Sequence, residues 1–105
     1  MTLITPSVII NTVAIKTFKD VDTANLFGLR RVPRFANIER PALRKLKQLD
    51  LARRIEDLRV PPGNQLERLK GDRAGQWSIR VNDQFRVCFR WSGSDAEDVE
   101  IVDYH

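Results

Sequence analysis

The chain has 105 residues, 42% of them hydrophobic and 30% charged, which is enough for one domain with an ordinary core and too few for two. No apolar stretch approaches the ~20 residues of a membrane span, and no basic segment precedes a small-residue cleavage site, so neither membrane insertion nor secretion is expected. One cysteine, Cys88, and one histidine, His105, exclude an intramolecular disulfide and the usual zinc sites, so the expectation is a cytoplasmic protein needing no metal or cofactor.

The charge is unevenly distributed. Eighteen Lys and Arg against fourteen Asp and Glu give a net +4, yet Asp95, Glu97, Asp98, Glu100 and Asp103 all follow the last base, Arg90. Residues 1–91 thus hold every Lys and Arg against nine acids, an excess that points to a polyanionic partner.

Residues 1–12 are apolar without periodicity and read as an N-terminal extension of a single domain over 1–105. Residues 13–18 read as a first strand, and Asp22 as the cap of a short helix through Leu26 and Phe27, stopped by Gly28. Ile38, Ala42, Leu46 and Leu49 recur at helical spacing, with Asn37 available as cap and Pro41 confined to the first turn. Arg40, Arg44 and Lys47 repeat about half a turn away, either as a solvated face or as a stripe contacting phosphates. Leu51, Ile55 and Leu58 suggest a second short helix that ends before Val60 and Pro61.

After Asn64 the period becomes two. Trp77, Ile79 and Val81, then Phe85, Val87 and Phe89, then Val99 and Ile101 define three antiparallel strands. A three-residue loop at 82–84 keeps the apolar sides together by pairing Val81 with Phe85, Ile79 with Val87 and Trp77 with Phe89. The fold class is therefore α+β: an N-terminal strand and two to three helices packed on a C-terminal antiparallel sheet. The same register sets Arg80 opposite Arg86, an unfavourable like-charge pair, so an anion is expected between them. In the next hairpin, Arg90 falls opposite Asp98 and Arg86 opposite Val102, which brings Tyr104 and His105 towards the arginines.

Cations beside a histidine suit metal-free RNA cleavage, in which a base takes the 2′-hydroxyl proton, cations stabilise the phosphorane and an acid protonates the leaving oxygen. Lys70, Arg73, Arg80, Arg86, Tyr104 and His105 are the side chains available for this. Each also has a plainer reading: Trp77 and Trp91 as core, Cys88 as an inert small side chain, Gly71 and Gly75 as shapers of the loop carrying Arg73, and Glu67 as an ion-pair partner of Arg68 or Arg73.

The run Pro-Pro-Gly-Asn-x-Leu-Glu-x-Leu-Lys-Gly-Asp-Arg-Ala-Gly-Gln-Trp-Ser-Ile-Arg-Val-Asn-Asp-Gln-Phe-Arg-Val-Cys-Phe from Pro61, closed by Val-Glu-Ile-Val-Asp-Tyr-His, strongly resembles the HigB or "killer" branch of the RelE-like toxins of bacterial toxin–antitoxin systems. The likeness runs from about Ile15 to His105, and Lys-Thr-Phe-Lys-Asp at Lys16 is similar to the family's usual beginning. The resemblance implies a ribosome-dependent endoribonuclease that cuts mRNA in the A site of the 30S subunit. It also implies neutralisation by a helix-turn-helix antitoxin, through which alone the toxin would reach operator DNA. Carried over by residue, it gives Lys70 and Arg86 to the scissile phosphate, Tyr104 to positioning, His105 to proton exchange, Asp103 to orienting this end and Arg73 to support of phosphate binding. Glu67 stands where some relatives have a second histidine, leaving Glu67, Lys70 or Tyr104 as the second proton-transfer group. Two other readings stay open: a growth inhibitor that occupies ribosomal RNA without cleaving, and a regulatory subunit acting through its antitoxin.

Overall fold

The computed structural model describes residues 13–104. The extension at 1–12 and His105 lie outside the described residues. Two α-helices, α1 (Val21–Phe27) and α2 (Glu39–Leu51), lie in one layer against a four-stranded antiparallel sheet ordered β1 (Glu67–Arg68), β2 (Trp77–Arg80), β3 (Phe85–Ser92) and β4 (Asp95–Asp103). No helix among the described residues is long and apolar enough to cross a membrane.

The helical spacing read from the sequence determines what α2 buries. Ile38, Ala42, Leu46 and Leu49 point into the core, the last three with no solvent exposure, and meet Ile79, Val87, Phe89, Val99 and Ile101 from the sheet. Burying each large aliphatic side chain contributes about 1.5–3 kcal/mol. Phe35, on a 3-10 turn before α2, closes the end of this core with its ring edge-on to Phe85.

Helix boundaries differ from the expectation for local reasons. Asp20, not Asp22, caps α1: its carboxylate accepts from Thr23 N at 2.9 Å and from Thr23 Oγ1 at 2.7 Å, while Asp22 is turned outward to Arg34. Asn37 does not cap α2, because the preceding residues are already wound into a 3-10 turn (Pro33–Ile38) that runs straight into the helix. Leu51 ends α2 and is exposed, whereas Ile55 and Leu58 belong to a 3-10 turn (Ile55–Arg59), too short for the second helix that their spacing suggested.

Residues 13–18 pair with β4 in parallel only at two isolated bridges, Ile15 with Ala96 and Phe18 with Val99, so they line the sheet without forming a continuous ladder. The β2–β3 register is the one that parity requires, with Trp77 opposite Phe89, Ile79 opposite Val87 and Arg80 opposite Arg86. Asn82 Oδ1 accepts from Gln84 N and Phe85 N at 2.9 and 2.8 Å, and Val81 N donates to Phe85 O at 2.9 Å, closing the three-residue loop. In the β3–β4 hairpin, Arg86 faces Val102 as expected, but an irregularity between Cys88 and Arg90 shifts the outer part by one residue. Arg90 therefore stands opposite Glu97. The extra residue is taken up on β4, where Asp98 has φ 52°, and its carboxylate still reaches Arg90 at 3.7 Å.

Candidate functional site

The sheet has a second face, formed by the alternate residues that point away from α2. Glu67, Ser78, Cys88 and Glu100 lie on it as one row across β1, β2, β3 and β4. Ser78 and Cys88 are fully buried, so longer side chains roof them. Those side chains are Arg73, Arg86, Glu100 and Tyr104, all of which act electrostatically on the Cys88 thiol.

Arg86, on β3, is tied down by its own fold. Its Nε donates to Ser78 Oγ at 2.7 Å and its Nη2 to the backbone carbonyl of Gln65 at 2.5 Å, with the Glu67 carboxylate 3.7 Å away. Arg80, its cross-strand neighbour, turns instead to Asp83 in the hairpin loop. Each arginine of the like-charge pair thus has a carboxylate of the chain itself beside it. Glu67 likewise pairs with Arg86, not with Arg68 or Arg73; Arg68 lies over the Trp77 ring, 5.4 Å from its centroid.

Arg73 arrives from the loop between β1 and β2, on a 3-10 turn (Gly71–Arg73). Gly71 and Gly75 have φ of +64° and +92°, a region glycine enters without strain, and a Cβ on Gly75 would stand 2.8 Å from Arg90 Nη1. The loop brings Arg73 Nη1 to 3.0 Å from both Gln76 Oε1 and Glu100 Oε2. The Glu100 carboxylate raises the guanidinium above its ordinary value through this hydrogen bond, and Lys19 Nζ shares the same carboxylate oxygen at 3.7 Å.

Tyr104 follows the end of β4, held by its backbone N–H to Gln84 O at 2.7 Å. Its phenol meets the Cys88 thiol. Burial, then that contact, pushes the Tyr104 pKa up, so at neutral pH the hydroxyl is a proton donor with Arg73 and Arg86 nearby. Burial also pushes the Cys88 thiol up, which leaves it un-ionised and a poor nucleophile. Asp103 ends the same strand and accepts from Gln84 Nε2 at 2.9 Å.

The remaining sequence-predicted residues are dispersed. Lys70 is exposed at the head of the Arg73 loop. Arg40, Arg44 and Lys47 are exposed on α2, opposite the face of the helix that carries Ala42, Leu46 and Leu49 into the core. Trp77 and Trp91 are partly buried and packed on the core. A concavity of about 250 Å³ opens between α1 and α2, lined by Leu26, Leu29, Arg30, Arg31, Glu39 and Leu43, and contains none of the predicted site residues.

Residues that the sequence reading passed over complete the arrangement: Glu100 and Gln76 hold Arg73, and Ser78 and the Gln65 carbonyl hold Arg86. Alternation with Val99 and Ile101 already put Glu100 on the polar face, but no spacing rule says which loop base reaches it. Among the described residues, no group of three or more His, Cys, Asp or Glu could hold a metal ion. Two guanidinium groups and a protonated phenol thus share one polar face of the sheet.

A family model for the RelE-like toxin HigB of type II toxin–antitoxin systems matches residues 16–105. The chain belongs to this family. It is 50% identical over 56 residues to Toxin HigB-1 of Vibrio cholerae serotype O1, a stretch covering 53% of this chain and 59% of that one. It is 38% identical over 61 residues to Endoribonuclease HigB of Proteus vulgaris, covering 58% of this chain and 65% of that one. The aligned stretches thus span less than two thirds of either HigB relative.

Proposed function

We propose that this HigB-like chain is the toxin of a toxin–antitoxin pair and a metal-independent endoribonuclease that cuts mRNA in the ribosomal A site. The observation that carries the reading is the convergence of Arg73, Arg86 and Tyr104 on one polar sheet face, in a chain similar to an endoribonuclease. In the reaction, the 2′-hydroxyl loses its proton to a base and its oxygen attacks the adjacent phosphorus. The bond to the 5′ oxygen breaks, and an acid protonates that oxygen, leaving a cyclic phosphate and a 5′-hydroxyl. Lys70 and Arg86 stabilise the charge on the phosphorane, Arg73 supports phosphate binding and Tyr104 positions the reacting groups. His105 exchanges protons, with Asp103 orienting this end and Glu67, Lys70 or Tyr104 as its counterpart.

Arg40, Arg44, Lys47 and Arg80 contact RNA phosphates outside the reaction centre. The partners are a cognate helix-turn-helix antitoxin, the 30S subunit and mRNA; operator DNA is reached only through the antitoxin, and the setting is the cytoplasm. A second reading, a ribosome-bound inhibitor that does not cleave, is favoured by one observation: Glu67 and Gln65 already engage Arg86.

Single-turnover cleavage on programmed ribosomes decides between them. Deleting His105 should slow cleavage by about 10²–10⁴-fold, the usual contribution of general acid–base catalysis, while ribosome pelleting persists. Growth inhibition without any cleavage by the wild-type chain would overturn the nuclease in favour of the binder.

A further inference from the structure

Arg73 is mounted on a loop, where a long side chain would ordinarily sample many rotamers, yet one end of its guanidinium is fully engaged. Both Nη1 protons are used, one on Gln76 Oε1 and one on Glu100 Oε2, each at 3.0 Å. Both acceptors are well buried, Gln76 at 8% exposure and the Glu100 side chain at 16%, so neither is a passing surface contact. Nε and Nη2 have no partner among the described residues. These two nitrogens form the edge of the fork that binds a phosphate or carboxylate through parallel hydrogen bonds.

We propose that Glu100 is a positioning residue, which together with Gln76 clamps Nη1 and so presents the Nε–Nη2 edge of Arg73 to an RNA phosphodiester. This rests on the nuclease reading and adds to it a residue acting through another. A carboxylate near a phosphate site is electrostatically adverse, and Lys19, 3.7 Å from the same oxygen, offsets part of that charge. The gain is entropic. An arginine already held in its binding geometry loses less freedom when the anion arrives.

Two arms test this. In the first, cleavage on programmed ribosomes is measured for Glu100→Ala, Glu100→Gln, Arg73→Ala and the double variant Glu100→Ala/Arg73→Ala. Losing one charge-assisted bidentate contact in the transition state corresponds to roughly tenfold in rate. Glu100→Ala should lower kcat by about that factor with KM little changed, since ribosome docking uses other surfaces. Glu100→Gln, which keeps an acceptor oxygen, should recover most of the rate. The double variant should lose no more than Arg73→Ala alone.

In the second arm, the Arg73 Nε–H resonance is followed by NMR in the free protein and on titration with a short RNA carrying 2′-deoxy at one position. It should be sharp and RNA-responsive in the wild type, and broadened in Glu100→Ala. A multiplicative loss in the double variant would sink the clamp, as would an Arg73 resonance unchanged by Glu100→Ala. If the wild-type chain fails to cleave, the nuclease reading falls, while the NMR arm still decides whether Glu100 orders Arg73.

Discussion

At the scale of single residues, buried ionisable groups tie stability to pH. Burial raises the Cys88 thiol above its ordinary value of 9.0, so as pH climbs past 9 the unfolded chain loses this proton before the folded one does. Stability conferred by this group is complete below pH 9.0 and is lost as pH rises towards the folded value. Lys45 acts in the opposite sense: burial, then Arg44 and Arg80, lowers its pKa, so its charged form is disfavoured in the fold and its penalty fades as pH rises. Urea denaturation of the wild type and Cys88→Ala between pH 7 and 10 isolates the thiol, because Lys45 is common to both. The variant should be less stable at pH 7, and its stability should decline less steeply above pH 9. Parallel curves would mean that the thiol is not buried as described.

At the scale of elements, the short turns that follow α2 are held by a polar hub. Asn64 has no solvent exposure; its Oδ1 accepts from Lys45 Nζ at 2.5 Å, and its Nδ2 donates to Gln48 Oε1 at 3.0 Å and to Leu58 O at 3.2 Å. One side chain thereby joins two residues of α2 to the chain that leads into β1. Asn64→Ala strands a buried ammonium and a buried carbonyl, so it should lower the unfolding free energy by about 3 kcal/mol. Chemical denaturation with an unchanged m-value is the check. A loss below about 0.5 kcal/mol would place the anchoring of this segment in its apolar contacts, Leu58 above all.

At the scale of the whole molecule, the basic groups fall into two sets, one on the sheet and one on α2. On the sheet side, Arg73, Arg80 and Arg86 are each paired with a carboxylate. On the helix side, Arg40, Arg44 and Lys47 form no ion pair with any described residue. Unpaired surface cations add little to stability but retain their full attraction for phosphates. Replacing all three by Ala should change the unfolding free energy, read by urea denaturation, by no more than about 1.5 kcal/mol, since each exposed substitution rarely exceeds ~0.5 kcal/mol. Ribosome association should weaken, with a salt dependence shallower by about two units of log–log slope if the three side chains contact phosphates. An unchanged slope would return the stripe to an ordinary solvated face.

Periodicity alone determined much of this protein. The spacing of Ile38, Ala42, Leu46 and Leu49 determined the buried face of α2, and the parity of Trp77 to Val81 against Phe85 to Phe89 determined the β2–β3 register, including Arg80 opposite Arg86. Both are local rules, in which a one-residue slip would turn an apolar face to solvent. Family membership was legible for a related reason, because the run from Pro61 to Phe89 and the closing segment from Val99 are long and specific. What tertiary structure decided were the choices among partners of equal local merit: Asp20 over Asp22 as cap, the residue absorbed at Asp98, Glu67 and Ser78 for Arg86, and Glu100 for Arg73. A long cationic side chain reaches any acceptor within several ångströms, so its partner depends on how a loop and three strands meet in space, and sequence spacing carries no record of that.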